Sequence, residues 1–306
     1  MNVVVTGGSG FVGFHLCNHL LEAGHRVTAL GSRSTYDRIV HPDFTYRSAD
    51  TTRPGAWQEV VADGQWLFNL AGRTIFQRWS RSHKRQIYDS RILTTRHLVA
   101  ALSDPTDAVL VSTSAVGYYG DRGEEALTES CAPGRGFLAD LAREWEAQAT
   151  AAEPKGARVV VARFGIALGS DGGALKKMVP AFQAFMGGSL GDGRQWFPWI
   201  HIHDMVEALT FLAAGDGHRG AYNICAPHPV RYGQMAAALG KAMGRPAVMP
   251  APAFMLKMMM GEMAATLLAS QKALPEKLQQ AGFEFTFPRL DTALADLVPT
   301  SKGKRR

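Results

Sequence analysis

Short, mostly apolar runs alternate with amphipathic stretches through the first half of the chain. Such runs are typical of strands buried in a sheet. The runs that predict strands are Val3–Thr6, Arg26–Leu30, Phe44–Ala49, Trp66–Leu70, Ala108–Ser112 and Arg158–Arg163. Apolar residues recur at helical spacing in the segments Gly13–Ala23, Ser80–Leu102 and Phe137–Ala152. Because strands and helices alternate, we predict an α/β fold built on a doubly wound parallel sheet.

The sequence pattern changes after Gly165, where glycine-rich loops become frequent. Loops at Gly169–Gly173 and Gly187–Arg194 flank a helix predicted near Ala174–Met186. The pattern then predicts a strand at Trp199–Ile202, a helix at Asp204–Ala214, a further strand at Ala221–Cys225, and mostly helix from Arg231 onward. We expect this second half to form a smaller lobe that shares the sheet of the first half.

The composition is that of an ordinary globular chain. It has 306 residues, of which 46% are hydrophobic and 20% charged, so disorder and coiled coil are excluded as the main architecture. The net charge is +6, and the final five residues carry four of the positive charges, which leaves a body of only +2. We therefore expect no nucleic-acid partner. No apolar run is long enough to span a bilayer, so no membrane partner is expected either.

The three cysteines, Cys17, Cys131 and Cys225, are too few and too scattered for a disulfide framework or a metal centre. The first residues do not resemble a signal peptide, and a cytoplasmic location is the natural expectation. Five methionines fall within residues 255–263. We predict that they lie on a helix buried against the rest of the chain; the alternative is a flexible apolar wall of a substrate cleft.

A glycine loop directly follows the first strand and opens the first helix. Its glycines stand at Gly7, Gly10 and Gly13. Glycines at this spacing permit a tight turn, close approach of a pyrophosphate and close helix packing, while the helix N-terminus offers N–H groups to the phosphates. The motif predicts dinucleotide binding on a Rossmann fold. The predicted contacts are Gly7, Ser9, Gly10, Phe11, Val12 and Gly13.

The end of the second strand indicates which nicotinamide cofactor binds. NAD-binding proteins place an acid here for the ribose hydroxyls, whereas this chain has Ser32 and Arg33. An arginine can bind a 2′-phosphate with two charge-assisted hydrogen bonds, so we predict NADP(H). Asp50 is a candidate for the adenine amino group. The end of the fourth strand, where the cofactor must pass, has the small residues of the segment Leu70, Ala71 and Gly72, and we predict that these three residues also contact the cofactor.

The chain resembles the extended short-chain dehydrogenase/reductases of the NAD-dependent epimerase/dehydratase superfamily. The resemblance rests on Thr6–Gly13, on Asn69–Gly72 and on Gly193–Asp204. It is closer to a branch of uncharacterised sugar-nucleotide-epimerase-like proteins that carry a C-terminal domain of unknown function. That match extends over about residues 1–298 and includes Trp79, Ser90, Arg91, Thr95, Gly117–Asp121, Trp145, Glu146, Arg163–Gly165, Gly172, Gly173, Gly261, Glu262, Pro275, Ala281–Phe285, Ala293 and Leu294.

The resemblance implies a Rossmann fold and an NADP(H) site to which Ser32, Arg33, Leu70, Ala71 and Arg91 contribute. We expect a Rossmann core over residues 1–165, to which the strands near 199–202 and 221–225 add. Residues 166–298 would form the substrate-side and C-terminal lobe, and residues 299–306 a basic tail. The substrate would be a small molecule, and a homodimer is an expectation from the family alone.

The family's catalytic pattern is incomplete in this sequence. Active members use a Ser or Thr hydroxyl with a Tyr-x-x-x-Lys pair, in which Tyr is the general acid or base and Lys lowers its pKa. Ser114 is the first candidate for the hydroxyl, and Thr113 is the second. Aligned on Glu146 or on the spacing from Ser114, the Tyr position falls on Phe137 or Leu138 and the Lys position on Leu141 or Ala142. None of these side chains can donate a proton.

Three interpretations remain open. Another group could perform the acid/base chemistry; Tyr118, Tyr119 and His201, with its neighbour His203, are the candidates, and each has a structural alternative. The protein could instead bind the cofactor without catalysis, as a sensor or regulator. It could also be a reductase that supplies little beyond hydride geometry. Arg163 is a candidate for binding a phosphate or carboxylate, with a buried structural ion pair as the alternative.

Overall fold

The computed structural model describes residues 1–298, and the predicted basic tail lies outside the described residues. Within them lie thirteen strands and eleven α-helices. The strands are β1 Asn2–Thr6, β2 Arg26–Gly31, β3 Phe44–Ser48, β4 Trp66–Asn69, β5 Val109–Ala115, β6 Ala126–Leu127, β7 Arg158–Phe164, β8 Ile166–Leu168, β9 Trp196–Phe197, β10 Trp199–His201, β11 Gly220–Ile224, β12 Val230–Arg231 and β13 Lys272–Ala273. The helices are α1 Phe11–Glu22, α2 Trp57–Ala62, α3 Arg81–Ala101, α4 Phe137–Thr150, α5 Leu175–Gln183, α6 Ile202–Ala214, α7 Tyr232–Met243, α8 Ala253–Met260, α9 Met263–Leu268, α10 Glu276–Gln280 and α11 Leu290–Leu297.

Seven of the strands form one parallel sheet in the order β11-β7-β5-β4-β1-β2-β3. The chain winds outward from β1 in one direction through β2 and β3, and in the other through β4, β5 and β7. The strand order therefore reverses between β1 and β4, and in such sheets ligands bind at the carboxyl ends of the strands beside this switch point. The predicted doubly wound Rossmann sheet is confirmed.

Apolar side chains on each face of the sheet pack against helices. Helices α1 and α6 cover one face, where Leu16 and Leu209 are fully buried. Helices α2, α3 and α4 cover the other, with Leu98 and Ala149 among the buried residues. Because both faces are covered at the centre of the sheet, strands such as β1, β4 and β7 are apolar along most of their length, whereas the edge strand β3 is largely exposed.

The strand at Trp199–His201 has a different partner from the one expected. It pairs with β8, Ile166–Leu168, in a separate two-stranded sheet. The strand at Gly220–Ile224, by contrast, pairs with β7 and forms the edge of the main sheet. A third apolar cluster around Trp199 and Phe182 joins β8 and β10 to α5, α7 and α11, and this cluster is the core of the smaller region.

The prediction of a buried methionine helix was wrong for α8. Met255, Met258 and Met259 are 41%, 69% and 67% exposed, and Leu256 is the one buried residue of the helix. Met263, at the start of α9, is fully buried. The reason is that α8 is a short helix at the surface that packs chiefly against α9. The helical spacing was correct, but it did not show that the apolar face lacks a covering element.

Candidate functional site

The glycine loop lies between β1 and α1, beside the end of β4. Gly7 has a φ of +73°, and a Cβ there would lie 2.8 Å from the backbone oxygen of Leu70. A Cβ at Gly13 would overlap the backbone of Gly7 and Gly8. A Cβ at Gly10 would meet only the Gly7 oxygen, at 3.1 Å, so its outer side is open. The loop therefore packs tightly against β4 and leaves open backbone at Gly10.

The N-terminus of α1 has no capping side chain. Gly10 occupies the N-cap position, and the first turn contains no acidic residue. Within residues 1–298, the backbone N–H groups of Phe11, Val12 and Gly13 have no hydrogen-bond acceptor. Unsatisfied N–H groups and the positive end of the helix dipole make this terminus suited to a phosphate. Sequence reasoning missed Gly8, where a Cβ would lie 2.6 Å from Ala29 Cβ.

The carboxyl end of β2 presents a free cation next to this loop. The Tyr46 hydroxyl donates a 2.9 Å hydrogen bond to the backbone oxygen of Arg33 and so fixes the backbone there. A Cβ at Gly31 would lie 2.6 Å from Ser9 Oγ, which shows how closely the end of β2 approaches the loop. The side chains of Ser32 and Arg33 are exposed, and in the described part of the chain Arg33 has no carboxylate partner.

Asp50 is exposed at the end of β3 and caps its own turn. Its Oδ1 accepts hydrogen bonds from the backbone N–H of Thr52 at 3.1 Å and from Thr52 Oγ1 at 2.6 Å. The Thr52 hydroxyl, through this hydrogen bond, is the main cause that lowers the pKa of Asp50. A local turn therefore accounts for one of its oxygens, and Oδ2 faces Arg53 at 3.7 Å.

Arg91 lies under the loop that follows β4. A Cβ at Gly72 would lie 3.1 Å from its guanidinium, and Nη1 donates to the backbone oxygens of Arg73 and Ile87 at 3.0 and 3.1 Å. The guanidinium is 5.2 Å from the Trp145 ring centre, and burial lowers the pKa of Arg91 to about 10. Arg91 thus holds the loop containing Leu70, Ala71 and Gly72 in place. Leu70 and Ala71 are half-buried, and Gly72 is exposed.

A second glycine loop packs onto the first residue of α1. A Cβ at Gly169 or Gly173 would lie 2.5 or 2.8 Å from the Phe11 ring, and one at Gly172 would overlap it. Asp171 in this loop accepts from His15 Nε2 of α1 at 2.9 Å and from Arg38 Nη2 at 3.4 Å. The loop at residues 169–173 is therefore fixed beside the N-terminus of α1 and the segment after β2 that contains Arg38.

Ser114 does not present a free hydroxyl. Its Oγ is buried and donates a 2.7 Å hydrogen bond to Glu146 Oε1 of α4. Arg163 of β7 binds both oxygens of Glu146, through Nε and Nη2, at 2.9 Å each. Burial alone would lower the pKa of Arg163, but the bonds to Glu146 outweigh it and the pKa is raised. This is the ion pair that the sequence left as the alternative for Arg163.

The two tyrosines after β5 belong to the same network. The Tyr119 hydroxyl accepts from Arg163 Nη1 at 2.9 Å and donates to Asn223 Oδ1 at 2.7 Å, and burial raises the pKa of Tyr119 to about 12. Both features favour a structural role for its hydroxyl. Tyr118 is half-buried, and its ring stacks 3.6 Å from the Arg163 guanidinium.

Thr113 stands on the opposite face of β5 from Ser114 because side chains alternate along a strand. Its Oγ1 is shielded from solvent and has no hydrogen-bond partner among residues 1–298. A buried hydroxyl without a partner is costly and rare in native proteins. Near the carboxyl end of the central sheet, such a group is suited to bind a ligand.

His201 is a capping residue at the start of α6. Its Nδ1 accepts from the backbone N–H of His203 at 3.1 Å, and its Nε2 lies 3.2 Å from Asp296 Oδ2. The ring stacks on Phe287 with centres 3.9 Å apart, and burial lowers the pKa of His201 to about 4. Asp204 is buried and accepts from the N–H groups of residues 286 and 287, so it ties the C-terminal segment to α6. These contacts favour the structural alternative for His201.

The positions expected for Tyr-x-x-x-Lys lie in the first two turns of α4. Leu141 and Ala142 are buried, Phe137 and Leu138 are half-buried, and the Phe137 ring packs edge-to-face on Trp79 with centres 5.2 Å apart. Sequence reasoning missed a charged pair at this place. Lys84 of α3 forms an ion pair with Glu262, which follows α8. The family resemblance included Glu262, but nothing in the spacing linked it to a residue so far away along the chain.

None of the helices in residues 1–298 combines the length and the apolar character needed to cross a membrane. Across the same residues, no three His, Cys, Asp or Glu side chains converge closely enough to hold a metal ion. The sheet topology, the uncapped α1 and the small-residue strand ends together define a dinucleotide-binding protein of the extended dehydrogenase/reductase type.

Comparison with known protein families agrees with this class. The model of the NAD dependent epimerase/dehydratase family matches residues 3–225, and a domain of unknown function, DUF1731, matches residues 251–297. The chain belongs to the NAD dependent epimerase/dehydratase family. The resemblance inferred from the sequence, including the C-terminal domain of unknown function, is confirmed.

Individual relatives extend over almost the whole chain. It is 38% identical to the Arabidopsis thaliana "Epimerase family protein SDR39U1 homolog, chloroplastic", over 97% of this chain and 87% of that protein. It is 36% identical to the Bacillus subtilis "Epimerase family protein YfhF", over 99% of each. Among solved structures, the human epimerase family protein SDR39U1, crystallised with NADPH, shares 30% identity and a TM-score of 0.84, over 97% of this chain and 99% of that one.

A more distant likeness shows the fold alone. MoeE5, solved with UDP-glucuronic acid and NAD, has a TM-score of 0.81 at 22% identity, over 97% of this chain and 98% of that chain. The neighbouring structures thus include complexes with NADPH and with NAD.

Proposed function

We propose that this chain binds NADP(H) along the carboxyl edge of its sheet and acts as an oxidoreductase or epimerase on a small molecule. One observation carries the cofactor assignment: the end of β2 at Gly31 approaches Ser9 of the loop before the uncapped α1, and Arg33, two residues further on, has no carboxylate partner in residues 1–298. The human relative crystallised with NADPH supports the same choice.

The residues present fit a dinucleotide phosphate. Open backbone at Gly10 and the free N–H groups of Phe11 and Val12 would hold the pyrophosphate. Arg33 and Ser32 would bind the 2′-phosphate, since no acid follows β2 until Asp37. When bound, the nicotinamide would supply or accept a hydride. The Thr113 hydroxyl, buried near the carboxyl end of β5 without a partner in residues 1–298, would be a candidate donor to the ligand.

The test is a titration of the protein with NADPH, NADH, NADP⁺ and NAD⁺, followed by nicotinamide fluorescence and by Tm. A ligand at 100 times its Kd stabilises the folded state by about 2.7 kcal/mol, which a thermal melt detects. Arg33→Ala is expected to weaken NADPH at least about tenfold and to leave NADH unchanged. Arg26→Ala, at the opposite end of β2, is the matched control and should change neither affinity.

The missing Tyr-x-x-x-Lys pair is part of the proposal. Phe137 or Leu138 stands where the tyrosine is expected, and neither side chain can carry a proton. Any acid/base group must therefore come from elsewhere in the site. Failure of all four nucleotides to bind would contradict the proposed function outright.

One specific observation favours a second candidate function, an NADP(H)-binding sensor without turnover. The hydroxyls of Ser114 and Tyr119 are both engaged in the network of Glu146 and Arg163. A sensor would bind NADPH tightly, consume none in the presence of carbonyl compounds, and change its affinity for a partner when loaded. An enzyme would convert a substrate with the cofactor bound.

A further inference from the structure

Lys84 lies where separate parts of the chain meet. It belongs to the first turn of α3, and its Nζ is 5.7 Å from the Trp79 ring centre and 5.3 Å from that of Phe137, the first residue of α4. The same ammonium is paired with Glu262, between α8 and α9. The ammonium is therefore surrounded by α3, α4 and the C-terminal region.

This meeting point is at the cofactor edge of the sheet. Helix α3 follows β4, and α4 follows β5, so both helices begin on the side where the parallel strands end. Phe137 is one of the two residues at the position where the family resemblance places the catalytic tyrosine. An ammonium thus lies against the ring that occupies the position of the expected proton donor.

The position of Lys84 in the first turn of α3 does not stabilise this helix. The first turn of this helix contains no acid, while Arg81 and Lys84 place positive charges there. A cation near a helix N-terminus opposes the helix dipole and is unfavourable there. Local rules are broken in this way chiefly at functional sites.

The pair is also accessible from solvent. The side chains of Lys84 and Glu262 are 28% and 65% exposed, whereas those of Arg163 and Glu146 are 5% and 14% exposed. The Lys84 side chain is therefore partly open to solvent, and the Glu262 carboxylate faces water. The buried pair is largely closed to solvent.

We propose that Lys84, held by Glu262, is the residue that binds the substrate oxygen and gives it a proton, in place of the missing tyrosine and lysine. The inference rests on the proposed function, and the substrate class it implies is a carbonyl compound. Lys84 would be the catalytic residue, and Glu262 the positioning residue that holds its ammonium beside the Phe137 ring.

The reaction would be a carbonyl reduction in which the reduced nicotinamide, when bound, would supply a hydride to the carbonyl carbon and Lys84 would supply the proton to the oxygen. Lys84 Nζ donates a hydrogen bond to the carbonyl oxygen and stabilises the negative charge that develops there. The proton then moves to that oxygen, so one O–H bond forms and one N–H bond breaks, with the electron pair left on Nζ. The neutral amine regains a proton from water by way of the exposed Glu262 carboxylate.

Acetate is a suitable probe because it places a carboxylate oxygen where the substrate oxygen would become negative. Its binding to the full-length protein saturated with NADP⁺ can be measured by calorimetry. Lys84→Met should weaken acetate at least about tenfold, since a charge-assisted hydrogen bond is lost. Glu262→Gln should strengthen acetate binding, because the competing carboxylate is removed. A merely structural ion pair would give neither shift.

A matched control and a second readout complete the test. Lys177 has the same kind of contact, with Nζ 5.4 Å from the Phe76 ring centre, but no carboxylate partner in the described chain. Lys177→Met should bind acetate as the wild type does. In the presence of NADPH, reduction of 9,10-phenanthrenequinone should fall at least about tenfold in Lys84→Met and remain unchanged in Lys177→Met.

The outcomes separate this inference from the proposed function. Equal acetate affinity in the wild type and Lys84→Met, or no acetate binding to the wild-type NADP⁺ complex, overturns the role of Lys84 and leaves cofactor binding intact. If the wild type binds no nicotinamide nucleotide, the proposed function fails, and this inference fails with it. If Lys84→Met does not fold, the acetate affinity of Glu262→Gln decides: an unchanged or lower value overturns the inference.

Discussion

Ser114 Oγ donates a 2.7 Å hydrogen bond to Glu146 Oε1, the same oxygen that accepts from Arg163 Nε at 2.9 Å. The serine that aligns with the family's catalytic hydroxyl is thus part of a buried charge network that links β5, α4 and β7. Because a buried polar network is costly when one member is missing, its first effect is on the stability of the sheet around β5 and β7.

Glu146→Gln is expected to destabilise the protein by about 3–5 kcal/mol, because it leaves the buried guanidinium of Arg163 without its counter-charge. Urea unfolding at pH 7 measures this. Asp140→Asn, which removes the exposed Asp140–Arg143 pair on the same helix, should cost no more than about 1 kcal/mol. Equal effects of the two substitutions would show that the Arg163 pair contributes no more than a surface pair.

Thr113→Val should separate stability from ligand binding. The substitution removes a buried hydroxyl that has no partner in residues 1–298, so the Tm of the free protein should be unchanged or higher. If the hydroxyl binds the cofactor, the Tm increase produced by saturating NADPH should be smaller than in the wild type. Ser114→Ala is the comparison: it should lower the Tm of the free protein, since Glu146 loses a donor.

The sheet could be predicted from the sequence because its central strands are buried on both faces and form nearly continuous apolar runs. Residues such as Val3 and Val160 carry that signal locally. The partner of a strand is not local information, and for this reason the strand at Trp199–His201 was placed beside the main sheet although it pairs with β8. Apolar spacing likewise predicted α8 but not its exposed Met258.

The candidate site divides in the same way. The phosphate-binding loop could be predicted from the sequence because its glycines and the following helix are adjacent in the chain. The roles of Ser114 and Lys84 depend on Glu146 and Glu262, which lie 32 and 178 residues further along the chain. Charges that meet only through folding leave no periodic pattern, so the sequence offered the hydroxyls and cations without their partners.

Gly10→Ala and Gly13→Ala should have opposite profiles. A Cβ at Gly10 meets only the Gly7 oxygen at 3.1 Å, so stability should fall by no more than about 1 kcal/mol. NADPH affinity should nevertheless drop at least about tenfold, because the methyl group occupies the approach of the pyrophosphate. At Gly13 the Cβ overlaps the loop backbone, and stability should fall by about 1–3 kcal/mol. Fluorescence titration and urea unfolding of both variants check this, and unaltered NADPH affinity in Gly10→Ala would place the pyrophosphate elsewhere.

His201 should make the protein lose stability as the pH falls from about 6.5 to about 4. Burial lowers its pKa from 6.5 to about 4, so the unfolded chain binds the proton more tightly and acid favours unfolding. This stability is fully present above pH 6.5, and about 3 kcal/mol of it is lost by the time the pH reaches 4. Protonation of Nδ1 would also remove the cap on the N–H of His203. His201→Asn retains a capping oxygen but cannot titrate, so urea unfolding between pH 7 and pH 4 should show a shallower loss of stability than in the wild type. Parallel pH profiles for the two proteins would mean that His201 is protonated as readily in the folded protein as in the unfolded chain.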